Sequence, residues 1–197
     1  SSRRADLLRM IGCRFDVIAS DVDEQTEAHL TAGETVTELA GRKAHHVAQR
    51  NGNRIVIGAD TVVTIDGRIL GKPEDREHAK KTLTELSGVT HQVMTAVSLI
   101  SLDDQREEHV LATTSVTFRD LNKEEIERYL DTDEPYDKAG AYGIQGKASL
   151  FAERIDGCFY NVVGFPITQF WLALGRITDG NPWSYCTSRH APDLLSL

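Results

Sequence analysis

The sequence predicts an α/β fold built as one domain. Three observations lead there. Helical and strand-like stretches alternate along most of the 197 residues, no internal repeat or low-complexity linker separates two autonomous halves, and 40% hydrophobic content supplies a core.

In chain order, Ser1 or Ser2 can cap a short helix carrying Leu7, Leu8 and Ile11 and ending at Gly12, after which Phe15, Val17 and Ile18 read as a strand. Residues 20–33 form an acidic loop with Asp21, Asp23, Glu24 and Glu27. Helical spacing returns over 35–50, where Val36, Leu39, Ala40, Ala44 and Val47 make an apolar stripe with Lys43 near its middle. Strands follow at 54–57 and 62–65, flanking Gly58-Ala59-Asp60-Thr61, and Asp66-Gly67 signals a hairpin into 68–70. After Gly71-Lys72-Pro73, a helix capped near Asp75 runs through Ala79, Leu83 and Leu86 to Gly88.

Long β-rich stretches at 91–102 and 110–118 are joined by polar residues 103–108. Asn122 with Glu125 has the form of a capping box opening a helix that ends near Leu130. Residues 131–147 then make a turn-rich loop of about 17 residues, a length that inside a compact domain usually serves function. It concentrates Asp137, Lys138, Gly140, Tyr142, Gly143, Gln145 and Gly146. Strands are expected at 150–155 and 159–163, Pro166 suits the first turn of a helix bearing Phe170, Trp171 and Leu174, and regularity ends beyond Asp179.

A formal charge of -8 disfavours nucleic acid polymers and anionic membrane surfaces, yet leaves room for a small phosphorylated ligand held by a local cation cluster or a metal. No apolar run is long enough for a membrane helix and no signal-peptide pattern opens the sequence, so a cytoplasmic protein is expected. Cys13, Cys158 and Cys186 lack zinc or C-x-x-C spacing and read as unpaired. His45 and His46, adjacent on a helix, point about 100° apart and do not suit one metal.

The residues able to carry chemistry are the acids Glu24 and Asp60, the cations Arg3, Arg4, Lys43, Lys72 and Lys138, and the glycine-punctuated loop around Gln145. Cations neutralise phosphate oxygens, carboxylates hold a divalent ion or orient water, and glycines let backbone N–H groups approach a ligand. Asp60 stands between apolar strand runs, where a carboxylate needs a compensating cation or donors; it either caps a strand turn or serves a site. Lys43 either snorkels to water or meets such a carboxylate. No Walker pattern, no G-x-G-x-x-G fingerprint and no Ser/His/Asp or Cys/His arrangement stands out, which leaves direct attack by water as the simplest chemistry.

The strings Ile57-Gly58-Ala59-Asp60-Thr61-Val62-Val63, Gly71-Lys72-Pro73, Leu86-Ser87-Gly88 and His91-Gln92-Val93-Met94-Thr95 resemble the Maf family of nucleoside triphosphate pyrophosphatases. Glu134-Pro135-Tyr136-Asp137-Lys138-Ala139-Gly140-Ala141-Tyr142-Gly143-Ile144-Gln145-Gly146 and Asn161-Val162-Val163-Gly164-Phe165-Pro166 extend the likeness. The resemblance implies a bilobed, mixed-sheet Maf/ITPase-like fold around a central cleft, and cleavage of nucleoside triphosphates to monophosphate and pyrophosphate with a divalent metal, Mg²⁺ or Mn²⁺. It points to the branch acting on dTTP and UTP, with Thr61 and Gln145 as specificity positions.

Carried over by position, Asp60 is the general base, Arg3, Lys43 and Lys72 contact phosphates, Gln145 reads the base, and Glu24 joins Asp60 in holding the metal. The implied partner is a nucleotide, and a homodimer is compatible with the family. The domain would span 1–178, followed by an irregular tail over 179–197. Ser1-Ser2-Arg3-Arg4 matches the family's S-x-S-P-R-R loop only in part, and the strand and first serine before it are expected to be missing. A competing expectation, also associated with the family, is a nucleotide-binding regulator of septum formation that needs no turnover.

Overall fold

The computed structural model describes residues 1–186 and 194–196; the remainder of the tail expected over 179–197, Pro192 included, lies outside the described residues. The described chain forms two compact units, the first from residues 1–60, 95–112 and those from 164 onward, the second from 61–94 and 113–163.

In the first unit, α1 (Ser2–Met10) buries Ala5, Leu7 and Leu8 and is followed by Gly12 at φ +75°, which favours glycine. The strand β1 (Phe15–Val17) comes next. Helix α2 (Ala32–Ala48) starts earlier than its apolar stripe suggests because Thr31 and Glu34 make a reciprocal capping box. Its stripe, Val36, Leu39, Ala40, Ala44 and Val47, is buried as the spacing predicts.

The strand β2 (Val56–Ile65) is continuous, correcting the expectation of two strands flanking a turn at 58–61. Gly58 is needed for a close approach instead: a Cβ there would lie 2.7 Å from Ala44 N and 2.8 Å from Ala44 Cβ, with the Ala40 carbonyl also in the way. Ala44, Val47, Ala48 and Val56 join Ile100 in one apolar cluster, with Ile18 packed against it. Helix α6 (Ile167–Ile177) buries Phe170, Ala173, Leu174 and Ile177 in this unit.

Two parts of the expected tail are regular, the helix α7 (Trp183–Cys186) and the strand β7 (Leu194–Ser196), which pairs parallel with both β1 and β2. A disulfide joins Cys13 to Cys186, correcting the reading of all cysteines as unpaired, while Cys158 is free. The Arg14 N–H donates to the Tyr185 carbonyl at 3.3 Å beside that bond. Spacing could not reveal the pair, because 173 residues separate its members.

In the second unit, β3 (Arg68–Leu70) turns back on β2 with Val63 opposite Leu70; Asp66 and Gly67 both take positive φ, the hairpin geometry that Asp-Gly signals. The Asp75 carboxylate caps α3 (Arg76–Leu86), and the Asn122/Glu125 box opens α4 (Lys123–Leu130) as expected. The strand β6 (Ala152–Asp156) runs antiparallel to β5 (Arg106–Phe118). Residues 159–163, expected as a strand, form the helix α5 (Phe159–Val163). A five-residue apolar run cannot distinguish the two, and here Asn161 is turned inward to donate to the Val93 carbonyl and the Thr114 hydroxyl, each at 2.9 Å.

With β4 (Thr90–Ser101), the strands pair in the order β1, β7, β2, β4, β5, β6, and β3 adds to β2. Parallel and antiparallel pairings coexist, so the fold is mixed α/β. Among the described residues no helix is long and apolar enough to cross a membrane.

Candidate active site

Lys43 is delivered by the buried face of α2 and Asp60 by β2, and the two meet directly. Lys43 Nζ donates to Asp60 Oδ1 at 2.7 Å, and Glu24 Oε1 lies 2.7 Å from the same nitrogen. The Lys43 and Asp60 side chains are 13% and 17% exposed, against 66% for Glu24, so the Asp60 contact is partly desolvated and the Glu24 contact faces water. Asp60 therefore has the compensating cation that its apolar strand requires, and the alternative in which Lys43 simply snorkels to solvent does not hold.

Two arginines complete this cluster. The Arg4 Nε donates to the Gly164 carbonyl at 2.9 Å and its Nη1 to the Ala59 carbonyl at 2.8 Å, so one fork ties α1 to the residue before Asp60. Gly164, at φ +115°, is the glycine of the Asn161 to Pro166 string, and its conformation turns that carbonyl toward the fork. Burial pulls the Arg4 guanidinium below its ordinary value; Asp60 and Glu24 oppose this, whereas the neighbouring Arg3 adds to it. On α2, Arg42 Nη1 donates to the carbonyls of Asp23 at 2.6 Å and Gln25 at 2.9 Å, clamping the loop on both sides of Glu24.

Sequence reasoning assigned no role to Arg42 and no specific role to Arg4. A spacing of four from Glu38 marks Arg42 as a helix-surface pair, which forms, but nothing local tells that it also reaches a loop 17 and 19 residues earlier.

The first unit thus brings together Glu24, Lys43 and Asp60, with Arg3 half-buried on α1 beside Arg4. Thr61, Lys72 and Gln145 belong to the second unit. Thr61 is half-buried in β2, and Lys72 and Gln145 are exposed in loops. The Gly140 N–H donates to the Gly71 carbonyl at 3.1 Å, joining the loop of Lys72 to the loop of Gln145. Gly140 takes φ +70° where a Cβ would press on Val63 at 3.0 Å.

Glu24 and Asp60 both meet the Lys43 ammonium, and their carboxylate oxygens are the hard donors that a divalent cation takes one or two at a time, with water and substrate phosphate completing its shell. Among the described residues no group of three or more His, Cys, Asp or Glu is arranged to hold a metal, so substrate oxygens would have to share in the coordination.

A family model described as Maf-like protein matches residues 1–177. A dTTP/UTP pyrophosphatase of Acetivibrio thermocellus is 46% identical over 186 residues, covering 91% of this chain and 89% of its own. Proteins of the same description from Bacillus velezensis and Alkaliphilus oremlandii are 48% identical over 174 residues and 46% over 182, covering 88% and 92% of this chain and 91% and 94% of theirs.

Proposed function

Because this chain belongs to the Maf-like protein family, we propose that it hydrolyses dTTP and UTP to the nucleoside monophosphate and pyrophosphate. The observation that supports this chemistry is the Asp60 carboxylate, half-buried and paired with an ammonium that also meets Glu24. Asp60 takes a proton from water as the water oxygen bonds to the α-phosphorus. The bond from that phosphorus to the α,β-bridging oxygen breaks, and pyrophosphate leaves.

Lys43, Arg3 and Lys72 neutralise charge gathering on the leaving oxygens. Thr61 and Gln145 select the base. Asp60 and Glu24 would hold a divalent cation, Mg²⁺ or Mn²⁺, whose chemistry when bound is to neutralise phosphate charge and fix the triphosphate for in-line attack. A cytoplasmic setting, a homodimeric state, and a preference for free nucleotide over nucleic acid or membrane, consistent with the net charge of -8, belong to the same proposal.

The names of the relatives favour turnover over a septum regulator that only binds nucleotide. The test is hydrolysis of a nucleotide panel in ¹⁸O-labelled water with Mg²⁺ or Mn²⁺. Label in the monophosphate, with unlabelled pyrophosphate, is expected; nucleoside diphosphate with orthophosphate would reject the bond assignment. Asp60→Asn should abolish product release while nucleotide affinity persists, and an equal loss of both would assign Asp60 to binding or structure.

A further inference from the structure

Gln145 is exposed, yet the backbone around it is fastened from beneath by one carboxylate. Glu134 Oε1 accepts from the Tyr129 hydroxyl at 2.9 Å and from the Ala148 N–H at 3.2 Å, and Oε2 accepts from the Lys147 N–H at 2.9 Å. The Tyr129 hydroxyl in turn accepts from the Gly143 N–H at 3.2 Å. The loop is therefore anchored before Gln145, through Tyr129, and after it, directly.

The glycines of the loop make room for this anchor. A Cβ at Gly146 would fall 2.5 Å from Glu134 Cδ and 2.6 Å from Oε1, and one at Gly143 would fall 2.8 Å from Lys138 Cε. Lys138 Nζ donates to the Glu134 carbonyl at 2.7 Å and pairs with Asp137, which fixes the base of the Glu134 side chain. Tyr129 is buried, and burial foremost pushes its hydroxyl up, so it stays protonated and able to donate to Glu134. Exposed loop tips are ordinarily the least ordered backbone of a domain; here charge-assisted bonds hold the backbone while the side chain at the tip stays open.

We infer that Glu134, acting with Tyr129, is a positioning residue for nucleobase selection, holding the backbone so that the Gln145 amide meets uracil or thymine in one orientation. The inference rests on the proposed reading of Gln145 as the base-contacting side chain. Uracil and thymine offer an N3–H donor and an O4 acceptor, which one amide orientation satisfies. Cytosine offers an N3 acceptor and an N4 donor, which the flipped amide satisfies. Loss of the anchor shifts the backbone that carries the amide, so its match to the uracil edge weakens and cytosine is discriminated less.

The test measures kcat and KM on UTP, dTTP and CTP for the parent protein and for Glu134→Gln, Tyr129→Phe, Gln145→Ala and the Glu134→Gln/Gln145→Ala pair, with hydrogen exchange at residues 143–148. Gln at 134 sets an NH₂ against the N–H of Lys147. In that variant the UTP-to-CTP ratio of kcat/KM should fall about 10-fold, chiefly through KM for UTP, as protection at 147 is lost. Tyr129→Phe should move the ratio the same way by less, and the double variant should go no further than Gln145→Ala.

An unchanged ratio in a folded Glu134→Gln protein, an equal loss on UTP and CTP, or additive effects in the double variant would overturn the inference. If Gln145→Ala collapses the ratio and Glu134→Gln does not, only the anchor is refuted. If Gln145→Ala leaves it intact, the base-contact reading falls and the inference with it. Should Glu134→Gln not fold, Tyr129→Phe decides by the same ratio.

Discussion

Lys43 does opposite work for two acids: it neutralises a half-buried Asp60 and pins a largely exposed Glu24. Replacing it by Met should lower kcat/KM on UTP by about 10²-fold, as loss of one charge-stabilising donor typically does, while Glu24→Gln should alter folding stability little because that contact is solvated. Arg4 carries a larger structural share, since removing its fork leaves two carbonyls without their charged donor. Arg4→Met should cost about 2–4 kcal/mol in urea denaturation, and Arg4→Lys should recover only part because an ammonium lacks the fork.

In the second unit, His91 is 1% exposed, and burial lowers its pKa from 6.5 to about 4; its Nε2 meets the Tyr142 hydroxyl at 2.8 Å. A neutral native imidazole means that the unfolded chain binds the additional proton between those values. Its contribution is thus complete above pH 6.5 and lost as pH falls toward 4, about 3 kcal/mol in all. Denaturant titrations across that window should show the loss, and His91→Gln should flatten that part of the slope. Of these residues, Lys43 and Asp60 were legible as misfits, a cation and an acid on faces that should be apolar. Arg4 was not, because its partners, the carbonyls of residues 59 and 164, have no side-chain signature.

Among the elements, α2 and β2 together set the geometry of the candidate site, and their spacing depends on the absence of a side chain at 58. Gly58→Ala should force α2 away from β2, costing about 1–3 kcal/mol or more, and should depress activity beyond its effect on stability because Lys43 moves with the helix. Thermal denaturation and steady-state rates on the same sample separate the two effects. Thr31→Ala, at the start of the same helix, should cost about 1 kcal/mol with KM nearly unchanged. Periodicity and capping signals located α2, α3 and α4 because those signals are local. They failed at β2, where glycine and aspartate imitate a turn, and at α5, whose short apolar run has no period to read.

For the whole molecule, the Cys13–Cys186 bond closes a loop spanning 173 residues of sequence and fastens α7 to the turn after α1. On the chain-entropy account such a closure contributes about 5 kcal/mol. Reduction should therefore lower the denaturation midpoint, and Cys186→Ser should match the reduced protein and no longer respond to dithiothreitol. By itself the sequence determined the α/β class, the helices with caps and full apolar stripes, the family, and the residue types available for phosphate chemistry, since each depends on local spacing or on whole strings of residues. Only the tertiary structure decided that Lys43 reaches both Glu24 and Asp60, that Arg4 and Arg42 brace them, that Glu134 anchors the loop of Gln145, and that Cys13 finds Cys186. Those contacts join residues from 13 to 173 positions apart, and a chain reveals such partners only when packing has excluded every other neighbour.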